Sequence, residues 1–377
     1  MLTFKMKLLV LIFLSALGAH AYKYGNYSER SCGSDLSNLW LDVVLVVDTS
    51  ANMVPENLKW IQATIIDLFG NGTRIGTKYS DPRTTRVSLI TYNKDATVVA
   101  DLNKYQSFSD LSNGVKFSLT STSIPASYLS MGLSKADDVL TAGRSNNYRN
   151  NYQQFVIVFG TKNQRAPDGT SPLNVSSEMQ KKGVQIAVVG FSSDDELDYI
   201  ASGDLYTPIR NKMPNFLVRQ VLQVNCFCPQ EWVRSYRGTE SGVCLKVRGG
   251  ETWAQAKLTC QNLTANGYLA TDFTVKKHRF LQDLVSKYAT KTFHIGLSFV
   301  NGEWYWEQPA GQKLVPYYQE SHQTGFWNVD YPSSTITNTG VMVDTYYIDG
   351  WKNINPTKDE TAFVCEALTC DTDNYCA

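Results

Sequence analysis

The chain has 377 residues, 43% of them hydrophobic and 19% charged, a length that fits about two or three domains. That apolar content excludes wholesale disorder, and 25 glycines with 12 prolines exclude collagen-like or low-complexity architecture. Lys+Arg and Asp+Glu are each 35, so the charge balance points to neither nucleic acid nor an anionic membrane surface as a partner.

In chain order, Lys5 and Lys7 precede a short apolar run (LLVLIFLSAL, 8–17), and Ala19-His20-Ala21 fits a small-x-small cleavage site. Residues 1–21 therefore read as a secretory signal peptide, its apolar stretch too short to span a bilayer core of ~30 Å. The expected product is secreted and extracellular, with no membrane insertion. Residues 22–37 form an N-terminal segment. The eight cysteines suit an oxidising compartment. They are unevenly placed: Cys32, then none before Cys226, Cys228, Cys244, Cys260, Cys365, Cys370 and Cys376. A domain without internal disulfides (38–224) should thus precede a stapled one (226–370), with 371–377 as a tail. N-x-S/T sequons mark Asn26, Asn71, Asn174 and Asn262 as glycosylation acceptors.

Residues 41–47 (LDVVLVV) are a near-continuous apolar run, the pattern of a strand buried on both faces of a parallel sheet. Asp48-Thr49-Ser50 ends it. Pro55 opens a helix whose stripe is Leu58, Ile61, Ile65 and Leu68, and Gly70-Asn71-Gly72 stops it. Strands are expected at 85–92, 96–102, 155–159 and 184–189, and helices at 128–140, 194–202 and 215–224. Such alternation implies a doubly wound α/β sheet.

A buried strand ending in D-x-S at the start of such a domain resembles the von Willebrand factor A domain, as does IAVVGFSSDDELDYIAS (186–202). The resemblance implies loops at the carboxyl ends of the strands whose oxygens hold Mg²⁺ and, through it, an acidic group of a protein ligand. The first loop here is Asp48-x-Ser50-x-Asn52, and the second supplies Ser127. The third, Gly160-Thr161-Lys162-Asn163, carries Lys162 where the family has a carboxylate. A protonated lysine cannot ligate a cation. Its ammonium is expected to lie against Asp48 and plug the ion's place, unless Asp168 further along the loop supplies the missing acid.

The second half is richer in Trp and Tyr. It reads Cys228-Pro229-x-x-Trp232, Cys244-Leu245, a helix with Trp253, Ala256, Cys260 and Leu263, and a second helical stretch with Leu281, Leu284 and Tyr288. Phe293-His-Ile-Gly-Leu297, Trp304-Tyr-Trp306, Trp327, Trp351 and Phe363-Val-Cys365-Glu366 follow. These spaced motifs resemble the α+β C-type lectin-like domain. The resemblance implies the disulfides Cys228–Cys244 and Cys260–Cys365, and the absence of the family's second pair, whose positions fall near Gly340 and Pro356. For the other four cysteines, a Cys32–Cys226 clasp with Cys370–Cys376, or Cys226 joined to Cys370 or Cys376, all remain open.

Sugar-binding members of that family hold Ca²⁺ with E-P-N or Q-P-D and then W-N-D. Here those places read Tyr331-Pro332-Ser333 and Trp351-Lys352-Asn353. Pro332, the residue expected to carry the loop's cis bond, is kept, but only Asn353 still offers an oxygen, so the usual calcium-dependent sugar site is not expected. Aromatic faces remain for sugar rings or protein contacts, in 325–331 and at Tyr317, Tyr318, Tyr346 and Tyr347. Trp327, Asp330, Tyr331, Ser333 and Asn353 are the candidate ligand-binding residues, whereas Trp304 and Trp306 are assigned to the core.

Catalysis has no support. His278 reads as solvated in KKHR, His294 as half-buried and His322 as a loop residue, without H-E-x-x-H spacing, and G-x-S-x-G is absent. Glu307 and Asp330 have only their side-chain type to suggest a glycosidase pair. The domain order is similar to a family of secreted nematode proteins. That resemblance implies a non-catalytic recognition protein that binds glycans or proteins on microbial or host surfaces, in innate defence. The alternatives are an extracellular matrix or adhesion protein acting through the first domain, and a calcium-dependent lectin with an atypical ligand set. No cofactor is required, with Mg²⁺ and Ca²⁺ the ions to test.

Overall fold

The computed structural model describes residues 30–192, 195–209, 215–234, 241–272, 274–317, 326–345 and 350–376. The signal peptide, Asn26, Tyr318, His322, Tyr346 and Tyr347 lie outside the described residues.

In the first half the strands are β1 (Leu41–Asp48), β2 (Arg86–Tyr92), β3 (Ala96–Ala100), β4 (Gln153–Gly160), β5 (Gln185–Gly190) and β6 (Tyr206–Pro208). They form one sheet in the order β3-β2-β1-β4-β5-β6, parallel except for the edge strand β3. Every residue of the central β1 is buried. Leu41, Val43, Leu45 and Val47 meet one core with side chains of helices α1 (Pro55–Gly70), α2 (Phe108–Ser118) and α5 (Phe216–Val224). Val44 and Val46 meet the other with α3 (Leu129–Gly143) and α4 (Pro172–Lys181). Burial on both faces is why the run shows no polar alternation.

Helices α2 and α4 were not apparent in the sequence, because FSDLSNGVKFS and PLNVSSEMQK place few apolar residues per turn. Local signals nonetheless start them: Ser107 accepts from the Asp110 amide, and Pro172 occupies the first turn of α4. The expected helix over 194–202 is a 3₁₀ segment, Asp195–Ile200.

The polar exception in β1 is Asp42, fully buried and paired with Arg86 at 2.6 Å and Arg149 at 2.9 Å. Arg149 also reaches Thr84 and the Leu41 carbonyl, so both guanidinium groups are held by several acceptors.

The second half adds β7 (Val233–Arg234), β8 (Val243–Glu251), α6 (Trp253–Leu263), β9 (Tyr268–Leu269), α7 (Val275–Ser286), β10 (Thr292–Val300), β11 (Glu303–Trp306), β12 (Val315–Pro316), β13 (Gly340–Asp344), β14 (Gly350–Ile354) and β15 (Thr361–Leu368). The sheet runs β12-β11-β10-β15-β8-β7, with β13 and β14 branching from β10 and β9 lying on β15. A capping box at Thr252 and Gln255 opens α6. Cys228 is bonded to Cys244, and Cys260 ties α6 to β15 through Cys365. Near the absent second pair, a Cβ on Gly340 would fall 2.7 Å from the Trp253 ring, so the indole fills that space.

Of the open connectivities, the structure has Cys32–Cys226 and Cys370–Cys376. Both lie where the halves meet. Trp40, Tyr152 and Cys370 form a small buried core there, with Phe227, Tyr375 and Cys376 packed on it.

Candidate functional site

The carboxyl ends of the parallel strands bring three loops together, the usual place for a ligand in such a sheet. β1 delivers Asp48, which is fully buried with Ser50 and Ser127. Asp48 Oδ1 accepts from the Ser50 amide at 2.8 Å. Its Oδ2 accepts from the hydroxyls of Ser127, at 2.7 Å, and of Thr161. Ser50 Oγ accepts from the Asn52 amide, and Asn52 Nδ2 donates to the Pro125 carbonyl at 3.0 Å. Tyr92 is the β2 neighbour of Asp48, and burial and then the Asp48 charge push its phenol well above the ordinary range.

Lys162 does not lie against Asp48. It is exposed, because the Thr161 hydroxyl one residue earlier already takes the inward place on Oδ2. Asp168 is also exposed and accepts from the Thr170 amide. The donor set does not fit Mg²⁺: it holds one carboxylate, and both of its oxygens accept from protein donors, whereas the ion needs free hard oxygens in near-octahedral array. Among the described residues, no group of three or more His, Cys, Asp or Glu side chains is placed to hold a metal ion.

In the second domain the Tyr331–Pro332 peptide is cis. Asn353, 3% exposed, staples the loop that follows. Its Oδ1 accepts from the Ser333 amide at 2.6 Å, and its Nδ2 donates to the carbonyls of Ser333 at 2.9 Å and Asn338 at 3.0 Å. The side-chain oxygen expected to face a ligand is therefore taken by backbone. Lys352 pairs with Asp344 Oδ2 at 2.6 Å and sits 5.8 Å from the Tyr331 ring centroid. The Asp344 hydrogen bond raises its ammonium above the usual lysine range. The part-exposed Lys352 ammonium thus stands beside the loop, and the oxygens do not fit Ca²⁺ either.

Trp327 is partly buried, 5.0 Å from the Trp304 ring and 5.6 Å from Trp351, so it is a wedge in an aromatic stack rather than a free platform. Trp306 is buried, while Trp304 is only partly so. Asp330 is exposed with φ +67°, and Val329 beside it is 72% exposed. The accessible rim is Val329, Asp330, the half-buried Tyr331 and Ser333, and Ile336.

The histidines correct the sequence reading. His278 is buried, not solvated: its Nδ1 is 2.6 Å from Asp272 Oδ2, and its ring stacks on Phe326 at 4.1 Å. Trp351 Nε1 donates to the same Asp272 oxygen at 2.9 Å. The neighbouring Lys277 is buried too, paired with Glu366 at 2.7 Å, so the charged run KKHR supplies an inward face to α7. His294 is fully buried, and Glu307 is paired with Lys257 at 2.8 Å. Thr161 and Asp344 were missed. Asp344 and Lys352 lie on one hairpin, where the register Met342↔Lys352 puts them two positions apart on one face.

Residues 42–211 match the family model described as von Willebrand factor type A domain, and residues 249–367 that of the Lectin C-type domain. The chain is a von Willebrand factor A domain followed by a C-type lectin domain. It is 22% identical to C-type lectin domain-containing protein 160 of Caenorhabditis elegans, over 94% of this chain and 57% of that protein. It is 29% identical to lithostathine-1-alpha of Homo sapiens, over 31% of this chain and 66% of that protein. The chain thus spans less than two thirds of the length of either relative. A structure of proximal thread matrix protein 1 from the mussel byssus, with a zinc-occupied MIDAS motif, aligns at 22% identity and TM-score 0.39, over 50% of this chain and 46% of that one.

Proposed function

We propose that this chain, a von Willebrand factor A domain followed by a C-type lectin domain, is a secreted, non-catalytic recognition protein. It binds glycans or proteins on microbial or host surfaces without using Mg²⁺ or Ca²⁺. The observation that carries this reading is common to both domains: the oxygens best placed to receive a cation are taken by internal hydrogen bonds, those of Asp48 by Ser50, Ser127 and Thr161, and that of Asn353 by Ser333. Secretion is supported by four disulfides, and among the described residues no helix is long and apolar enough to cross a membrane. Asn71, Asn174 and Asn262 are exposed, as acceptors for attached glycans must be.

The test is binding of the full secreted chain to a panel of glycans and microbial cell-wall polysaccharides, with and without EDTA. Binding that survives EDTA is the expected result. Binding lost in EDTA would show that a metal site operates, and no binding across the panel would leave a protein ligand as the target.

A further inference from the structure

At the edge of the first sheet opposite to Asp48, a cleft of about 470 Å³ opens between the two domains. One wall is built from the starts of β4 and β5, which present Gln153 and Gln185, with Gln180 and Asp204 beside them. The other wall comes from the lectin side and carries Trp232 and Arg234. The volume is that of a small-molecule site, and domain junctions are a common location for one.

The lining has unused hydrogen-bonding capacity. The side-chain amides of Gln153 and Gln185 and the Trp232 indole N–H make no hydrogen bond with other described residues, and all three side chains are only partly exposed. Gln180 uses its Nε2 on the Ile200 carbonyl at 3.0 Å, leaving Oε1. Asp204 receives Gln223 on Oδ1 at 2.9 Å, leaving Oδ2. Each amide offers a donor and an acceptor in one plane, which matches the paired hydroxyls of a sugar ring. Trp232, whose ring also carries Lys246 Nζ 5.9 Å from its centroid, lines the facing wall with its aromatic surface. One acid and one arginine balance each other, so nothing selects a charged ligand. Leu205, Val224 and Phe227 also line the cleft, so a peptide is the competing occupant that the saccharide titration must exclude.

We propose that this cleft binds a neutral saccharide, a site separate from the lectin loop at Tyr331 and from the Asp48 loops. Both domains contribute to it, so it exists only while the Cys32–Cys226 bond and the junction core hold them together.

The experiment titrates the full chain, in EDTA, with neutral trisaccharides of glucose, mannose, galactose and N-acetylglucosamine, read by saturation-transfer NMR and calorimetry. At least one should bind. Gln185→Ala and Asp204→Ala should each weaken it by about tenfold, the loss of one well-placed hydrogen bond. Trp232→Ala should abolish it, while Trp232→Phe, which keeps an aromatic face and the local packing, should retain most of it. Lys135→Ala, on the exposed face of α3 and away from both sites, should leave it unchanged. The proposal fails if none of the trisaccharides binds, if binding ignores the Gln185, Asp204 and Trp232 variants, or if Tyr331→Ala alone removes it. The last outcome would move saccharide recognition to the lectin loop while leaving the recognition role intact.

Discussion

The Trp40 indole N–H donates to the Asp371 carbonyl at 2.9 Å, joining the entry of the first domain to the tail that follows the last strand of the second, Thr361–Leu368. Around Trp40 lie Tyr152 at 5.4 Å, Phe227 at 5.2 Å and Tyr375 at 4.8 Å between ring centroids. The Asp371 carboxylate pairs with Arg30 at 2.7 Å. The linker and the C-terminal tail therefore pack on one fully buried side chain, and the N-terminal segment reaches the same junction through Arg30 and Asp371.

Trp40→Ala should remove that shared core. We expect a loss of about 3–5 kcal/mol and the separation of one calorimetric transition into two. A single transition at an unchanged midpoint would show that the domains are coupled elsewhere.

Asp42→Asn should leave Arg86 and Arg149 buried against a neutral partner. Breaking such a group costs about 3–5 kcal/mol, measured by denaturant unfolding. The exposed pair Glu178–Lys181, 2.7 Å apart, is the control, and its removal should change stability by less than about 1 kcal/mol.

Because residue 162 is exposed and Thr161 holds the inward place on Asp48, Lys162→Asp should not create a Mg²⁺ site. Calorimetric titration with Mg²⁺ should show no binding in either the variant or the wild type, and binding gained by the variant would show that this loop can turn residue 162 inward. Tight binding by the wild type would mean that Asp48 gives up its internal donors to the ion.

His294 makes stability depend on pH. Its Nε2 lies 3.1 and 3.0 Å from the carbonyls of Glu251 and Asp359, and its buried Nδ1 has no hydrogen-bond partner among the described residues. Burial lowers its pKa below the ordinary histidine value, so below that value the unfolded chain binds a proton that the folded chain refuses. Stability should fall as pH drops from about 7 toward 5. His294→Gln, which keeps an N–H donor and does not titrate, should flatten that part of the melting-temperature profile.

Asn353→Ala should free the Ser333 amide and the Ser333 and Asn338 carbonyls. Faster hydrogen exchange at Ser333 and a loss of about 1–3 kcal/mol are expected, with no change in any response to EDTA.

The residues differ in how far the linear chain disclosed them. The LDVVLVV run and the Leu58–Ile61–Ile65–Leu68 stripe announce their elements, because period and burial are local properties. Asp48, Ser50 and Ser127 were legible as one cluster only through family resemblance, since Ser127 reaches Asp48 across 79 positions. Lys162 was read from its charge alone. Its neighbour Thr161 decided the outcome by reaching Asp48 first. KKHR looked solvated because charge hides periodicity, yet Lys277 and His278 face Glu366 and Asp272 inside.

By itself, the sequence determined two folded halves of different class and the loops that differ from the metal-binding patterns of their families. These follow from patterning and side-chain chemistry, which are written position by position. Tertiary structure alone decided how the last four cysteines pair, that Trp40 binds both domains, that Asn353 and Asp48 satisfy their own surroundings, and that glutamines from one domain face a tryptophan from the other. Each of these depends on which groups a folded chain brings within a few ångströms, a distance that sequence separation does not set.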